Sequence, residues 1–296
     1  MDIKTIGTHN GRFHSDDVFS VALLKVLYPD AKIVRSRDLE VLDTCDLVLD
    51  VGGIYDVSTL RFDHHMPGGA GARANGVNFS AFALIWKKFG LEYCSGNTEA
   101  WGRLDAGFVS SFDAYDNGQK TYEITVDDAR VVELQDLFDK YMNPNISESA
   151  ELSDYDRQFD ASVALAQLIL DRATKRKIAE VDSEKYFYES WQSSPDKRYV
   201  VLEKFATSGE MAEQMPELLY TVFKSPNGTW NVKGMAKEKG SYEVKKPFPA
   251  EWAGLRDQEM VDTTGVQDAS FCHNQLFMCG AHSREGALEL LQLALS

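Results

Sequence analysis

The sequence predicts an α/β protein with a parallel-sheet domain over residues 1–195 and a smaller C-terminal α+β lobe over residues 196–296. Three observations carry this reading. Short apolar runs that end in polar residues alternate with helical periodicity through the first hundred residues. From about Tyr199 the texture changes to short β-like runs separated by turn signals. The chain then closes on an amphipathic helix entered through a glycine. A length of 296 residues accommodates one large or two medium domains.

The elements follow in order. Ile3 to Thr8 alternates weakly and ends at His9, a strand handing over to a loop. Ser15 is the expected N-cap of a first helix, with Asp16 and Asp17 in its first turn, where carboxylates favour the helix dipole. Val18 to Leu27 supplies its apolar positions, and Tyr28-Pro29 stops it. Lys32 to Ser36 and Asp46 to Val51 read as further strands, the latter closed by Gly52-Gly53. Leu60 to Asp63 reads as the end of another. Helical patterns follow at Phe79–Phe89, Thr98–Tyr115, Val131–Tyr141 and Phe159–Trp191. In the second half, Pro226-Asn227-Gly228-Thr229 marks a turn between two strands. A last strand, Gln275 to Cys279, leads through Gly280 into a helix from Ser283 to Leu295.

Composition excludes several classes. The formal net charge of -15 argues against a protein that coats long nucleic acid with a basic surface. It leaves phosphoester substrates open, because bound divalent cations supply a local positive field. Cys45, Cys94, Cys272 and Cys279 form no C-x-x-C pair, which disfavours a structural zinc site and a disulfide scaffold. No segment has the apolar length of a membrane span. Met1 to Gly7 lacks the character of a signal or transit peptide, so a cytoplasmic location is the default expectation.

The chemistry concentrates in four places. Only six histidines occur, and four of them fall within the first 65 residues. His9, His14 and Asp16 share one strand-to-helix loop, eased by Gly11. Taken alone, that loop reads equally well as an ordinary connection. Asp50 ends the apolar run Leu47-Val48-Leu49, and a buried carboxylate there needs a partner. Asp63-His64-His65 ends the next strand and is the most specific signal, a ligand set suited to manganese or zinc. Asp113 and Asp116 lie on one helical face near a terminus marked by Asn117-Gly118. In open α/β sheets, ligands sit off the carboxyl ends of the strands, where His9, Asp50 and Asp63 fall. Three histidines and three or four aspartates exceed one catalytic zinc site and fit two cations sharing carboxylates, as in phosphatases and nucleases. The small-residue loop Pro67 to Gly76 reads either as a flap over such a site or as a plain connection.

These motifs, His9…His14-x-Asp16, Asp50, Asp63-His64-His65 and Asp113, resemble the DHH phosphoesterase superfamily. Gly7 to Asp17, Asp50-Val51-Gly52-Gly53, Arg61 to His65, Asp113 to Gly118, Pro247 to Arg256 and Gly280 to Leu288 look like its melanocyte-proliferating-gene (Myg) branch. The likeness covers nearly the whole chain. It implies a DHH-type phosphoesterase domain with a C-terminal substrate-binding lobe, and a metal-dependent 3′-to-5′ exonuclease acting on RNA or short oligonucleotides. It implies two divalent cations, manganese first, with magnesium or cobalt as substitutes. His9 and His14 would bind one cation, Asp16 and His64 the second, and Asp50 and Asp113 both, with Asp116 the alternative to Asp113. Asp63 would orient its neighbours, and His65 would either touch the scissile phosphate or act from behind the ligands. Gly280, His282, Ser283 and Arg284 would hold substrate at a helix N-terminus, a natural anion site. Ser15 and Asp17 stand where that pattern expects Cys and Glu, and Cys279 stands where it expects Gly. The alternative on the same site is hydrolysis of pyrophosphate or a dinucleotide. The implied partner is RNA or a short oligonucleotide, with no membrane, and self-association is left open.

Overall fold

The computed structural model describes residues 2–144, 150–209, 214–238, 241 and 243–296. The chain packs as two compact units, Met1–Ile178 and Ala179–Ser296. The division falls inside the helix Leu152–Ser193, whereas the change in sequence texture points to residue 195. No helix among the described residues is long and apolar enough to cross a membrane.

The first unit is built on a five-stranded sheet of order β2-β1-β3-β5-β4. Its strands are β1 (Thr5–Thr8), β2 (Lys32–Arg35), β3 (Leu47–Leu49), β4 (Tyr55–Asp56) and β5 (Arg61–Phe62). β1, β2, β3 and β5 run parallel, and β4 is the antiparallel edge. The two-residue strands β4 and β5 are too short to alternate, so only β5, flanked by Leu60 and Asp63, is visible in the sequence. Parallel strands need helical crossovers. Helix α1 (Ser15–Leu27) supplies the first, and the short α2 (Leu39–Leu42) lies in the second.

Helix α1 begins one residue earlier than a Ser15 cap would require. His14 is the N-cap, with extended backbone, and its N–H donates to Asp17 Oδ1 at 3.0 Å. Ser15 is already helical and buried. Helix α3 (Ala81–Tyr93) packs beside α1, capped by Ser80. Helix α4 (Thr98–Leu104) continues through a π-helical turn, Asp105–Val109, into α5 (Ser110–Asp116). Helix α6 (Leu134–Asp136) likewise continues as a π-helical turn, Leu137–Met142. The core between them is aromatic. The Phe19 ring lies 4.6 Å from Phe112, 5.1 Å from Phe138 and 5.6 Å from Phe82. Burying each such ring removes 150–250 Å² from water, on the order of 2–3 kcal/mol per side chain. The first part of α7 (Leu152–Ser193) adds Phe159, Val163, Ala166 and Leu170 to the same core.

The second unit contains the end of α7 and a five-stranded sheet of order β6-β7-β8-β10-β9. The strands are β6 (Tyr199–Leu202), β7 (Tyr220–Lys224), β8 (Trp230–Gly234), β9 (Ala269–Cys272) and β10 (Met278–Ala281). β6 and β7 are parallel and the remaining pairs antiparallel. Helices α8 (Asp257–Thr264) and α9 (Arg284–Leu295) complete it. α9 buries Ala287, Leu290, Leu291 and Ala294 against Tyr220, Val222 and Val232, the spacing of a one-sided helix. The last strand lies at Met278–Ala281 rather than Gln275–Cys279, because Leu276 at φ 57° turns the chain first. All four cysteines are buried free thiols.

Candidate metal centre

Four parallel strands end at one edge of the first sheet, and each carboxyl end delivers a polar residue. β1 delivers His9, β3 delivers Asp50, and β5 delivers Asp63 followed by His64 and His65. Asp50 takes a left-handed backbone, φ 56°, which aspartate tolerates better than most residues. Gly52 and Gly53 continue the turn at positive φ and let the chain fold back over Asp63.

Asp50 is the hub. Its Oδ2 lies 3.2 Å from His9 Nε2, and its Oδ1 lies 3.1 Å from His64 Nε2 and 3.6 Å from His65 Nδ1. His9 Nε2 is also 3.1 Å from Asp17 Oδ2. His64 is 3.7 Å from Asp16 Oδ2 through Nε2 and 3.6 Å from Asp116 Oδ2 through Nδ1. The His14 ring sits 5.6 Å from the His9 ring. Three groups of donor atoms are close enough to share an ion: His9, His14 and Asp50; Asp50, His64 and His65; and Asp16, His64 and Asp116.

Asp63 plays a different part. Its Oδ1 accepts the N–H groups of His64 at 2.7 Å and His65 at 3.1 Å, and sits 2.8 Å from His65 Nδ1. Its Oδ2 accepts the Gly53 N–H at 2.5 Å. Both oxygens are taken, so Asp63 fixes the geometry of the turn. Burial works to raise its carboxyl, but the His65 ring and these N–H groups win and hold it below the usual range. The same Asp63 contact raises the His65 imidazole, against burial.

Asp113 and Asp116 separate. Asp113 is fully buried and accepts the Ser80 N–H at 2.8 Å, the Ser80 hydroxyl at 2.6 Å and the Arg73 Nε–H. Arg73 also grips Asp105 through two guanidinium nitrogens. Asp113 therefore anchors the start of α3 and the small-residue loop, which carries Arg73, and joins none of the three groups. Asp116, three residues on, faces His64.

Sequence reasoning passed over three residues here. Asp17, seen only as a first-turn acid, lies beside His9. Asp139 Oδ1 accepts the Ser15 N–H at 2.7 Å. Asn143 accepts the Phe13 N–H at 3.1 Å and donates to the Phe13 carbonyl at 2.8 Å, pinning the loop just before His14. These contacts span 124 and 130 residues, a separation no local pattern encodes.

The electrostatics suit a cation. Burial, then the charges of Asp50, Asp116, Asp17 and Asp139, push the Asp16 carboxyl well up. Burial alone would lower His9, but Asp17 and Asp50 push it up to about 10. Burial pushes Asp139 up to about 6. Asp17 Oδ2 is buried and makes no hydrogen bond of good geometry. Carboxylates crowded in a dry site, with imidazoles as their close partners, form a donor set that hard-to-borderline divalent ions complete. An open cleft of about 370 Å³ gives access, lined by His9, His14, Arg37, Asp50, Asp63, His65 and the backbone from Val51 to Gly53.

In the second unit, Gly280 lies in β10, Ser283 caps α9 and Arg284 begins it. The helix N-terminus expected to meet a phosphate already holds a carboxylate. Asp268 Oδ2 accepts the Ser283 N–H at 2.6 Å, and the Asp268 carbonyl accepts the His282 N–H at 2.9 Å. Gly286 makes room for it, since a Cβ there would lie 1.8 Å from Asp268 Oδ1. Arg284 is half-exposed, 3.7 Å from Glu203 Oε1, with its guanidinium 5.7 Å from the Trp230 ring centre.

Comparison with known proteins places the chain among relatives. The family model MYG1_exonuc, described as an uncharacterised protein family (UPF0160), matches residues 5–295. The MYG1 exonuclease of Homo sapiens is 29% identical over 329 residues, spanning 98% of this chain and 85% of that protein. The MYG1 exonuclease of Bos taurus is 30% identical over 334 residues, spanning 98% and 84%. A MYG1 protein of Chlamydia pneumoniae is 30% identical over 303 residues, spanning 99% and 97%. A solved structure, the pGpG-specific phosphodiesterase PggH from Vibrio cholrae, aligns over 100% of this chain and 99% of that one. Its TM-score of 0.33 and 15% identity are too low to carry an argument.

Proposed function

Because this chain belongs to the MYG1_exonuc family (UPF0160), we propose that it is a metal-dependent phosphodiesterase, a 3′-to-5′ exonuclease acting on RNA or short oligonucleotides. The observation that carries the proposal is Asp50, whose two oxygens reach His9 on one side and His64 on the other. The names of the mammalian relatives support the exonuclease reading.

His9, His14 and Asp50 would hold one divalent cation. Asp16, His64 and Asp116 would hold a second, with Asp116 in the place first given to Asp113. Manganese suits this mixed imidazole and carboxylate set. When bound, the cations supply positive charge at the phosphoryl oxygens and lower the pKa of a water. The protein's own groups do the rest. Asp63, 2.8 Å from His65 Nδ1, would keep a proton on that nitrogen and hold the imidazole, which is 62% accessible. His65 would touch the scissile phosphate. Asn143 and Asp139 hold the loop that carries His14. Gly280, His282, Ser283 and Arg284 would contact the substrate backbone, chiefly through the Arg284 guanidinium, because Asp268 already occupies the helix end.

Digestion of end-labelled RNA with Mn²⁺ tests the reading. A ladder of chains shortened from the 3′ end, with 5′-mononucleotides as product, is expected. Asp50→Asn and His64→Ala are each expected to abolish turnover without unfolding the chain. Wild-type turnover in either variant would overturn the site. The net charge of -15 favours a second reading, a short substrate such as a dinucleotide or pyrophosphate. Faster turnover of these than of longer RNA would select it.

A further inference from the structure

The fourth parallel strand also delivers a side chain to the cleft. β2 ends at Arg35, and the Ser36 N–H still donates to the Thr8 carbonyl at 2.8 Å, which extends the pairing to the edge where His9 begins. Arg37 follows directly and lines the same cleft as His9, His14 and Asp50. It is the one permanently charged cation among the described residues lining that cleft.

The other arginines of this region have fixed work. The Arg35 side chain is buried, binds Asp156 and the Gly11 carbonyl, and lies 4.4 Å from the Phe159 ring centre. Arg12 donates to the Asp139 carbonyl. Arg73 holds Asp105 and Asp113. Arg37 is exposed and makes no hydrogen bond or ion pair among the described residues. Its neighbour Asp38 is committed to capping α2, accepting the Glu40 N–H at 3.0 Å. Asp50 and Asp63, the carboxylates of the cleft, are buried and taken by histidines and backbone N–H groups. A guanidinium left free at the rim of such a site matches a doubly accepting oxyanion from outside.

We propose that Arg37 binds a phosphate group of the substrate in this cleft, beside the His9–His14–Asp50 group. The proposal rests on the phosphodiesterase reading for the identity of that substrate. The phosphate is either the one being cleaved or its neighbour along the chain, and both present the same oxygens to the guanidinium.

The test compares wild type, Arg37→Ala and Arg37→Lys in Mn²⁺ on a dinucleotide, a 5′-phosphorylated dinucleotide and a longer RNA. Arg37→Ala is expected to raise KM by about tenfold or more with kcat changed by less than about threefold, the signature of lost ground-state binding. Its salt dependence of kcat/KM is expected to flatten by about one counterion. Arg37→Lys recovers part of the loss, since it keeps charge without the planar fork. Mn²⁺ binding, read by electron paramagnetic resonance, stays at the wild-type value. A KM effect on both dinucleotides assigns Arg37 to the scissile phosphate. An effect only on the 5′-phosphorylated one assigns it to the neighbouring phosphate. Wild-type KM for Arg37→Ala on all three substrates overturns the proposal. If wild type cleaves none of them, calorimetric binding of a 5′-mononucleotide to the Mn²⁺-loaded protein decides. Loss of that binding in Arg37→Ala keeps the proposal while the phosphodiesterase reading fails, and equal binding ends both.

Discussion

Replacing Asp113 with alanine is expected to weaken the fold and spare cation binding. The carboxylate is 0% exposed and accepts two hydrogen bonds from Ser80 and one from Arg73. Alanine leaves the Ser80 N–H without its acceptor and takes one of two acidic partners from Arg73. Breaking a buried charged pair from one side costs about 3–5 kcal/mol when nothing compensates. Here Arg73 keeps Asp105 at 2.8 and 3.1 Å. Burial also pushes the Asp113 carboxyl up, partly offset by Ser80 and Arg73, so its charged form is itself costly. Both points lower the net loss to about 2–3 kcal/mol. At roughly 2–4 °C per kcal/mol for a unit of this size, the thermal midpoint falls by about 4–12 °C. Circular dichroism melts without metal, paired with Mn²⁺ titration followed by the resonance of the free ion, read both quantities. Asp116→Asn is expected to do the reverse. Burial pushes the Asp116 carboxyl up, with His64 pulling down and Asp50 pushing further. A folded pKa above the unfolded one means stability falls as the pH rises from the unfolded value through the folded one. Asparagine therefore keeps or raises the metal-free midpoint at neutral pH, while Mn²⁺ affinity drops. Loss of Mn²⁺ binding in Asp113→Ala with an unchanged midpoint would refute this division of labour.

Asn143→Ala removes a buried clamp on Phe13. It is expected to cost about 1–3 kcal/mol in a denaturant melt and to raise the Mn²⁺ concentration for half-maximal turnover, because His14 is next in the chain. Gly286→Ala is expected to lower the midpoint of the second unit, since its Cβ would lie 1.8 Å from Asp268 Oδ1 and dislodge the Ser283 hydrogen bond. In an Asp268→Ala background the same change reverses sign, as alanine is the better helix former by about 1 kcal/mol. Thermal melts of wild type, the two single variants and the double variant read that reversal.

What was legible in the sequence follows from range. Apolar runs ending in polar residues marked β1, β3 and β5, and the same boundaries placed His9, Asp50 and Asp63 at one sheet edge. Helix α1 was legible from its continuous apolar run, although its cap moved to His14 because Asp17 supplies the acceptor. The choice between Asp113 and Asp116 was not legible. Both suit one helical face, and what sets their contacts apart is Arg73, 40 residues before Asp113, which binds the Asp113 carboxylate while Asp116 faces His64. The α9 N-terminus looked free for an anion because Asp268, 15 residues earlier, is silent as a cap until the fold brings it over Gly286. Strands of two residues, such as β4, carry no periodicity to read.

The central claim is that side chains from separate strand ends share two cations through Asp50. Counting bound Mn²⁺ per chain under saturating conditions, in wild type and in Asp50→Asn, tests it most directly. Two ions in wild type, spin-coupled in the resonance spectrum, and loss of both the coupling and at least one ion in Asp50→Asn are predicted. An unchanged count and spectrum in Asp50→Asn would contradict it.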